Sequence, residues 1–141
     1  MNVLIDTSVW SLALRRRAGD LSTGQKAIVR ELAGLIEEGR AHLAGLVRLE
    51  LLSGIKEVRQ FERLRADLRA FDDVPLVIDD HEEAALACNR CRVRGIAGSP
   101  VDFLLCAIAM RRDWTLFTTD TDFSRYAKHV PVRLHRARRM D

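Results

Sequence analysis

Short apolar runs alternate with longer segments of helical periodicity along almost the whole chain. The apolar runs have the length of β-strands and lie at residues 3–5, 41–44, 75–78, 115–118 and 130–134. Ser22 with Gln25 forms a capping-box pattern, and Ser99-Pro100 predicts the start of a later helix. Strands that alternate with helices are typical of an α/β fold with a mostly parallel central sheet and helices on both faces. We therefore predict a sheet of about five strands in a single domain at residues 1–135, followed by a basic C-terminal tail at 136–141.

The apolar segments are too short to cross a membrane. The longest uninterrupted apolar run covers residues 103–110, whereas a membrane helix needs about 20 apolar residues. The chain starts without a basic segment and reaches a carboxylate at Asp6, which is unlike a secretory signal. Its three cysteines are too few for a disulfide framework. We expect a cytoplasmic protein.

Acidic residues stand at the ends of two predicted strands and inside two apolar helical segments. Asp6 follows the first strand, Asp120 and Asp122 follow the strand at 115–118, and Glu50 and Asp102 lie among apolar neighbours. Ligand sites of parallel sheets form beyond the carboxyl ends of the strands, so these acids are expected to converge. Uncompensated carboxylates at one site repel each other, and Mg²⁺, which prefers oxygen ligands, relieves that repulsion.

Each acid also has a purely structural interpretation. Asp102 stands in the first turn after Ser99, where a carboxylate favours a helix N-terminus. Asp122 is suitable as an N-cap, and Glu50 as a solvated helix residue. It is their joint placement that favours a site.

Four segments carry a family resemblance. Residues 4–9, 48–54, 99–102 and 116–123 resemble the four signatures of PIN-domain ribonucleases, and more closely those of the VapC toxins of bacterial toxin–antitoxin pairs. The resemblance covers essentially the whole chain in the order and spacing of the family. It implies a Mg²⁺-dependent endoribonuclease that hydrolyses RNA phosphodiester bonds, with Mn²⁺ as a substitute ion. It also implies a homodimer and a cognate VapB-type antitoxin.

The resemblance also assigns the site. It implies an acidic quartet of Asp6, Glu50, Asp102 and Asp120, with Asp122 as a fifth acid. We expect Asp6 and Asp102 to be the principal metal ligands and Asp120 to complete the coordination. Glu50 would ligate a second ion or position the attacking water, and whether one ion or two bind stays open. The matching hydroxyls that orient carboxylates are those of Thr7 and Thr118.

Clustered arginines are the candidates for holding RNA. The clusters are Arg15, Arg16 and Arg17; Arg111 and Arg112; and Arg133, Arg136, Arg138 and Arg139. Contacts between arginine and phosphate make RNA binding depend on salt. Solvated surface faces explain the same clusters, so both interpretations stay open.

Several other functions fit parts of the sequence. Cys88 and Cys91 form a Cys-x-x-Cys pattern late in an apolar helix face, which favours core packing over redox or zinc chemistry. A phosphoaspartate receiver would need a lysine after a late strand, yet Lys128 is expected to follow a helix. A haloacid-dehalogenase phosphatase would need an acid where Ser8 stands. A housekeeping PIN-domain RNA-maturation nuclease and a non-catalytic RNA- or partner-binding domain remain alternatives.

Overall fold

A small parallel sheet lies at the centre of the computed structural model, which describes residues 1–139. Its three strands are β1 (Val3–Ile5), β2 (Ala41–His42) and β3 (Thr115–Phe117), in the order β2-β1-β3. Both pairings are parallel, with Val3 opposite Ala41 on one side and Ile5 opposite Phe117 on the other. All three residues of β1 are fully buried, as a central strand of a parallel sheet requires.

Seven α-helices and one short 3-10 helix connect and cover the strands within residues 1–139. They are α1 (Thr7–Leu14), the 3-10 helix (Ala18–Asp20), α2 (Thr23–Glu37), α3 (Gly45–Leu52), α4 (Val58–Leu68), α5 (Ile78–Val93), α6 (Pro100–Arg112) and α7 (Asp122–Tyr126). Helix α6 packs against α5 and also contacts β1 and β3. None of the described helices is long and apolar enough to span a membrane.

The predicted helix starts follow from local hydrogen bonds. The Ser22 hydroxyl accepts from the Gln25 backbone N–H at 3.1 Å, and the Gln25 side chain accepts from the Ser22 N–H at 2.9 Å. The Ser99 hydroxyl accepts from the Asp102 N–H, with Pro100 at the first helical position. Both patterns satisfy N–H groups that a helix start leaves without intrahelical partners.

The prediction of about five strands was wrong, because one apolar run makes only a single bridge to the sheet and another makes no bridge. The run at 130–134 contacts β3 through one parallel bridge between Leu116 and Leu134. On the other edge, one bridge joins Leu43 to Asp73, just before the predicted strand at 75–78. Pro75 has no N–H for a ladder, and Ile78 already begins α5. The sheet therefore has three strands in the described chain.

The end of the described chain contacts α2. The Arg138 backbone N–H and Nε both donate to the buried carboxylate of Glu31, at 3.1 and 2.8 Å. The His135 ring lies 2.7 Å from the same carboxylate, and Arg138 also pairs with Glu38. Within the predicted tail at 136–141, residues 140 and 141 lie outside the described residues.

The cysteines of the Cys-x-x-Cys pattern lie on α5. Cys91 is fully buried, Cys88 is partly buried, and both thiols are free. Burial and the neighbouring Cys88 raise the pKa of the Cys91 thiol. A raised pKa disfavours the thiolate that redox or zinc chemistry would use.

Candidate metal site at the sheet edge

Asp6 directly follows β1 and is almost completely buried, with 8% of its surface exposed. Its Oδ2 accepts two hydroxyl hydrogen bonds, from Ser8 at 2.8 Å and from Thr118 at 2.7 Å. Thr118 is the first residue after β3, which pairs with β1 in parallel register. One oxygen of Asp6 is therefore held by a hydroxyl that follows β1 and by another that follows β3.

Ser8 is the hydroxyl that the sequence analysis did not assign to the site. Besides donating to Asp6, its Oγ accepts from the Thr119 backbone N–H at 3.0 Å. The Thr7 hydroxyl is buried and makes no hydrogen bond of normal geometry, but it lies close enough to Glu50 to oppose the rise in that carboxyl's pKa. Helix α1 begins at Thr7, and its geometry decides which of the two neighbouring hydroxyls faces Asp6. In the sequence, the only indication of this role is that Ser8 stands two residues after Asp6.

The turn after β3 holds the next two acids. The Asp120 backbone N–H donates to the Thr118 hydroxyl at 3.0 Å, and the Asp120 Oδ1 accepts from the Asp122 N–H at 2.9 Å. Asp120 is exposed. The Asp122 carboxylate forms an ion pair with Arg125 at 2.9 Å. Of these two acids, only Asp120 has a carboxylate without a cationic partner in the described chain.

Asp102 enters the same region from the first turn of α6. Its Oδ2 accepts from the buried Tyr126 hydroxyl at 2.9 Å. Burial raises the pKa of Asp102, hydrogen bonds from Tyr126 and Ser99 oppose this, and the charges of Asp120 and Asp6 raise it further. Burial and the neighbouring Asp102 carboxylate also raise the pKa of Tyr126, so its hydroxyl stays protonated and donates.

Glu50 completes the acidic group from α3. Burial raises the pKa of Glu50 first, and the negative charges of Asp6 and Asp102 add to the rise. Asp6, Glu50, Asp102 and Asp120 therefore share one electrostatic neighbourhood at the carboxyl ends of β1 and β3. No arginine or lysine in the described chain forms a salt bridge with these four acids.

The chemistry of this donor set fits a hard divalent cation. Within residues 1–139, no three Asp, Glu, His or Cys side chains are close enough together to hold an ion directly. Mg²⁺ usually keeps several waters and is held by one or two carboxylates together with substrate phosphates. Carboxylates whose pKa values are raised by burial and by their mutual repulsion provide the negative charge that such an ion neutralises.

The arginine clusters at 15–17 and 111–112 have different surroundings. Arg15, Arg16 and Arg17 are exposed and line a cleft of about 430 Å³, and the charged residues that share this lining are Arg63, Glu57 and Asp67. Arg111 and Arg112 instead donate to the fully buried Asp80, at 2.6 and 2.8 Å. Arg112 also donates to the carbonyls of Pro75 and Ile108. The second cluster thus joins α5 to α6.

The chain is similar in sequence and in fold to known proteins. The sequence profile of the PIN domain family matches residues 3–129. A search of curated proteins finds no match. The crystal structure of FitAcB from Neisseria gonorrhoeae has a TM-score of 0.75 at 20% identity, covering 96% of this chain and 97% of that one.

Two further solved structures carry the name VapBC. VapBC2 from Rickettsia felis, bound to a DNA fragment from its promoter, has a TM-score of 0.71 at 15% identity and covers 96% of this chain and 98% of that one. VapBC-1 from nontypeable Haemophilus influenzae has a TM-score of 0.70 at 13% identity, with coverages of 96% and 97%. At these identities the likeness establishes a shared fold.

Proposed function

Because this chain belongs to the PIN domain family, we propose that it is a metal-dependent endoribonuclease and the VapC-like toxin of a toxin–antitoxin pair. The observation that carries the proposal is the group of four acids at the sheet edge, Asp6, Glu50, Asp102 and Asp120. Two of them, Glu50 and Asp102, have pKa values raised by burial and by neighbouring carboxylates. We would expect purely structural carboxylates to be paired with a compensating arginine, as Asp80 is paired with Arg112.

Each acid has a role in the proposed site. Asp6 and Asp102 are the principal ligands of the ion, and Asp120 completes the coordination through a bridging water. Glu50 holds a second ion or orients the attacking water. Ser8 and Thr118 fix the Asp6 carboxylate through its Oδ2. Asp122, which pairs with Arg125, contributes through its backbone N–H to Asp120. When bound, Mg²⁺, or Mn²⁺ in its place, lowers the pKa of a water and neutralises charge on the phosphate oxygens.

The exposed cleft lined by Arg15, Arg16 and Arg17 is the proposed contact to the RNA backbone. Guanidinium groups bind phosphate oxygens through parallel hydrogen bonds, and such contacts release counterions. Arg111 and Arg112 use several donors on Asp80 and on backbone carbonyls, so they are the weaker candidates. Replacing Arg16 by Ala is expected to weaken RNA binding for all sequences and to lower the slope of log affinity against log salt by about 1.

The proposed partners come from the solved structures with the same fold. VapBC-1 and VapBC2 share this fold, and a further structure with this fold is a toxin–antitoxin complex from Klebsiella pneumoniae. We propose that this chain acts in the cytoplasm, that it forms a homodimer and that a cognate VapB-type antitoxin holds it inactive. The RNA substrate is accessible only when the antitoxin is absent.

The test is inducible expression of the wild type, of Asp6→Asn and of the control Asp79→Asn, with mapping of cellular RNA ends. Asp79 is a largely exposed aspartate of α5 whose carboxylate has no role in the proposed site. We expect growth arrest and new RNA ends with the wild type and the control, and neither with Asp6→Asn. Equal growth and identical RNA ends in wild type and Asp6→Asn would refute the nuclease toxin. New ends without growth arrest favour the RNA-maturation nuclease.

A further inference from the structure

Tyr126 is the one tyrosine of the chain, and its ring is buried at the end of α7. The Tyr126 hydroxyl donates to Asp102 Oδ2 at 2.9 Å. Among residues 1–139, Tyr126 makes the only side-chain hydrogen bond of normal geometry to the Asp102 carboxylate, although the Ser99 hydroxyl also lies close enough to lower its pKa. One oxygen of Asp102 is thus held by the protein, and the other stays available, as at Asp6, where both hydroxyls also bind Oδ2.

Two phenylalanines hold the Tyr126 ring in place. The ring centroid of Phe103 lies 4.7 Å away at an interplanar angle of 44°, and that of Phe123 lies 5.4 Å away in an edge-to-face arrangement. Phe103 follows Asp102 directly in α6, and Phe123 follows Asp122 in α7. The aromatic contacts therefore join the two helices that carry these acids.

Gly98 forms the wall behind the tyrosine. A Cβ at this position would lie 2.5 Å from the Tyr126 hydroxyl oxygen, 2.7 Å from its Cζ and 2.8 Å from a ring carbon of Phe103. The backbone of Gly98 does not adopt the left-handed conformation that favours glycine. Glycine is therefore required here only because there is no room for a side chain. Gly98 also precedes Ser99, the N-cap of α6.

We propose that Tyr126, held against Gly98, is a positioning residue that fixes the Asp102 carboxylate through Oδ2 and leaves its Oδ1 for the divalent cation. This inference deepens the proposed function and rests on it. Partners that orient a metal-binding group typically contribute 10–100-fold to metal affinity or activity. A carboxylate that rotates freely loses orientational entropy when it binds an ion, and the tyrosine removes that loss in advance.

The test measures metal affinity apart from catalysis. Mn²⁺ binding is titrated calorimetrically for wild type, Tyr126→Phe, Gly98→Ala and the double variant, and the free energy of unfolding of each is measured in denaturant. Ser22→Ala is the control, because it also removes one hydroxyl hydrogen bond but lies outside the acidic group. The Mg²⁺ concentration for half-maximal RNA cleavage and the cleavage rate at saturating Mg²⁺ are measured on the same proteins.

For Tyr126→Phe we expect about tenfold weaker Mn²⁺ binding and a similar rise in the half-maximal Mg²⁺ concentration, with a much smaller change in the saturated rate. Gly98→Ala shows the same affinity loss, and the double variant is no weaker than either, because both act through one hydrogen bond. The double variant keeps the loss of stability caused by Gly98→Ala, because the added Cβ still contacts the ring at position 126. Ser22→Ala binds Mn²⁺ as the wild type does.

Two results overturn the inference, and they are distinguishable. If folded Tyr126→Phe binds Mn²⁺ within twofold of the wild type, the tyrosine does not position Asp102, while the proposed nuclease function stands. If the wild type neither binds Mn²⁺ nor cleaves RNA, the proposed function fails and this inference fails with it.

Discussion

The ion pairs of Asp80 join α5 to α6, so replacing Asp80 tests what stabilises the packing of these two helices. The Asp80 side chain is fully buried near the start of α5, where it accepts from Arg111, from two nitrogens of Arg112 and from the Val77 backbone N–H. Removing one partner of a buried ion pair typically costs about 3–5 kcal/mol. The side chains of Arg111 and Arg112 are 30% and 20% exposed, so water solvates part of the charge that is left behind.

For Asp80→Ala we therefore expect a loss near the lower end, about 3 kcal/mol, in the free energy of unfolding by denaturant at pH 7. For a domain of this size the loss lowers Tm by roughly 10 °C. Asp79→Ala is the matched control, because that carboxylate is 72% exposed and lies 3.5 Å from Arg111. Exposed pairs of this kind contribute at most about 1 kcal/mol. If the two variants differ by less than 1 kcal/mol, the buried cluster does not stabilise the fold as argued.

The pH dependence gives the same cluster a second signature. Hydrogen bonds from Arg112 are the main cause that holds the pKa of Asp80 well below its usual range, with Val77 and Arg111 adding to the effect. A carboxyl whose pKa is lowered by folding stabilises the protein above its unfolded pKa and loses that contribution as pH falls. The stability difference between wild type and Asp80→Ala should therefore narrow below about pH 4, the ordinary range of aspartate. A difference that stays constant down to pH 2.5 would contradict the assignment.

Three further predictions concern other parts of the chain. Thr118→Val removes one of the two hydroxyls on Asp6 and should weaken Mn²⁺ binding about tenfold by calorimetry; unchanged binding refutes that role. Glu31→Ala should cost about 2 kcal/mol in denaturant at pH 7, because Arg138 and His135 contact this buried carboxylate. Because the pKa of Glu31 is lowered in the folded protein, the difference in free energy of unfolding between wild type and Glu31→Ala should narrow as pH falls. A difference at pH 3 equal to that at pH 7 would contradict this prediction. Burial raises the pKa of Cys106 to about 12, so at pH 8 a disulfide reagent should modify Cys88 first and Cys106 only on unfolding.

Patterns within a few neighbouring residues predicted the local structure well. The helix starts at Ser22 and Ser99 depend on hydrogen bonds three residues apart, which the sequence displays directly. The placement of acids after β1 and β3 follows from a general property of parallel sheets. The apolar run at 75–78 misled the strand prediction, because Val77 and Ile78 are exposed and α5 begins there.

Long-range contacts could not be predicted in the same way. Asp80 and Arg112 are separated by 32 positions, and no pattern near either residue indicates that they meet. Arg111 and Arg112 therefore resembled a surface cluster of the same kind as Arg15–17. The sequence does not show that Ser8, and not Thr7, donates to Asp6. Both hydroxyls follow Asp6 closely, and only the geometry of α1 decides which of them points toward its carboxylate.

Four buried or half-buried acids of residues 1–139 fall into two groups according to what binds them. Asp80 and Glu31 accept from arginine, which neutralises their charge and lowers their pKa values. Asp6 and Asp102 accept from the hydroxyls of serine, threonine and tyrosine, which orient an oxygen without neutralising it. An arginine in that position would compete with a cation for the same negative charge. Hydroxyl partners fix the carboxylates without bringing a positive charge next to them, which leaves the negative charge of this sheet edge for a divalent ion.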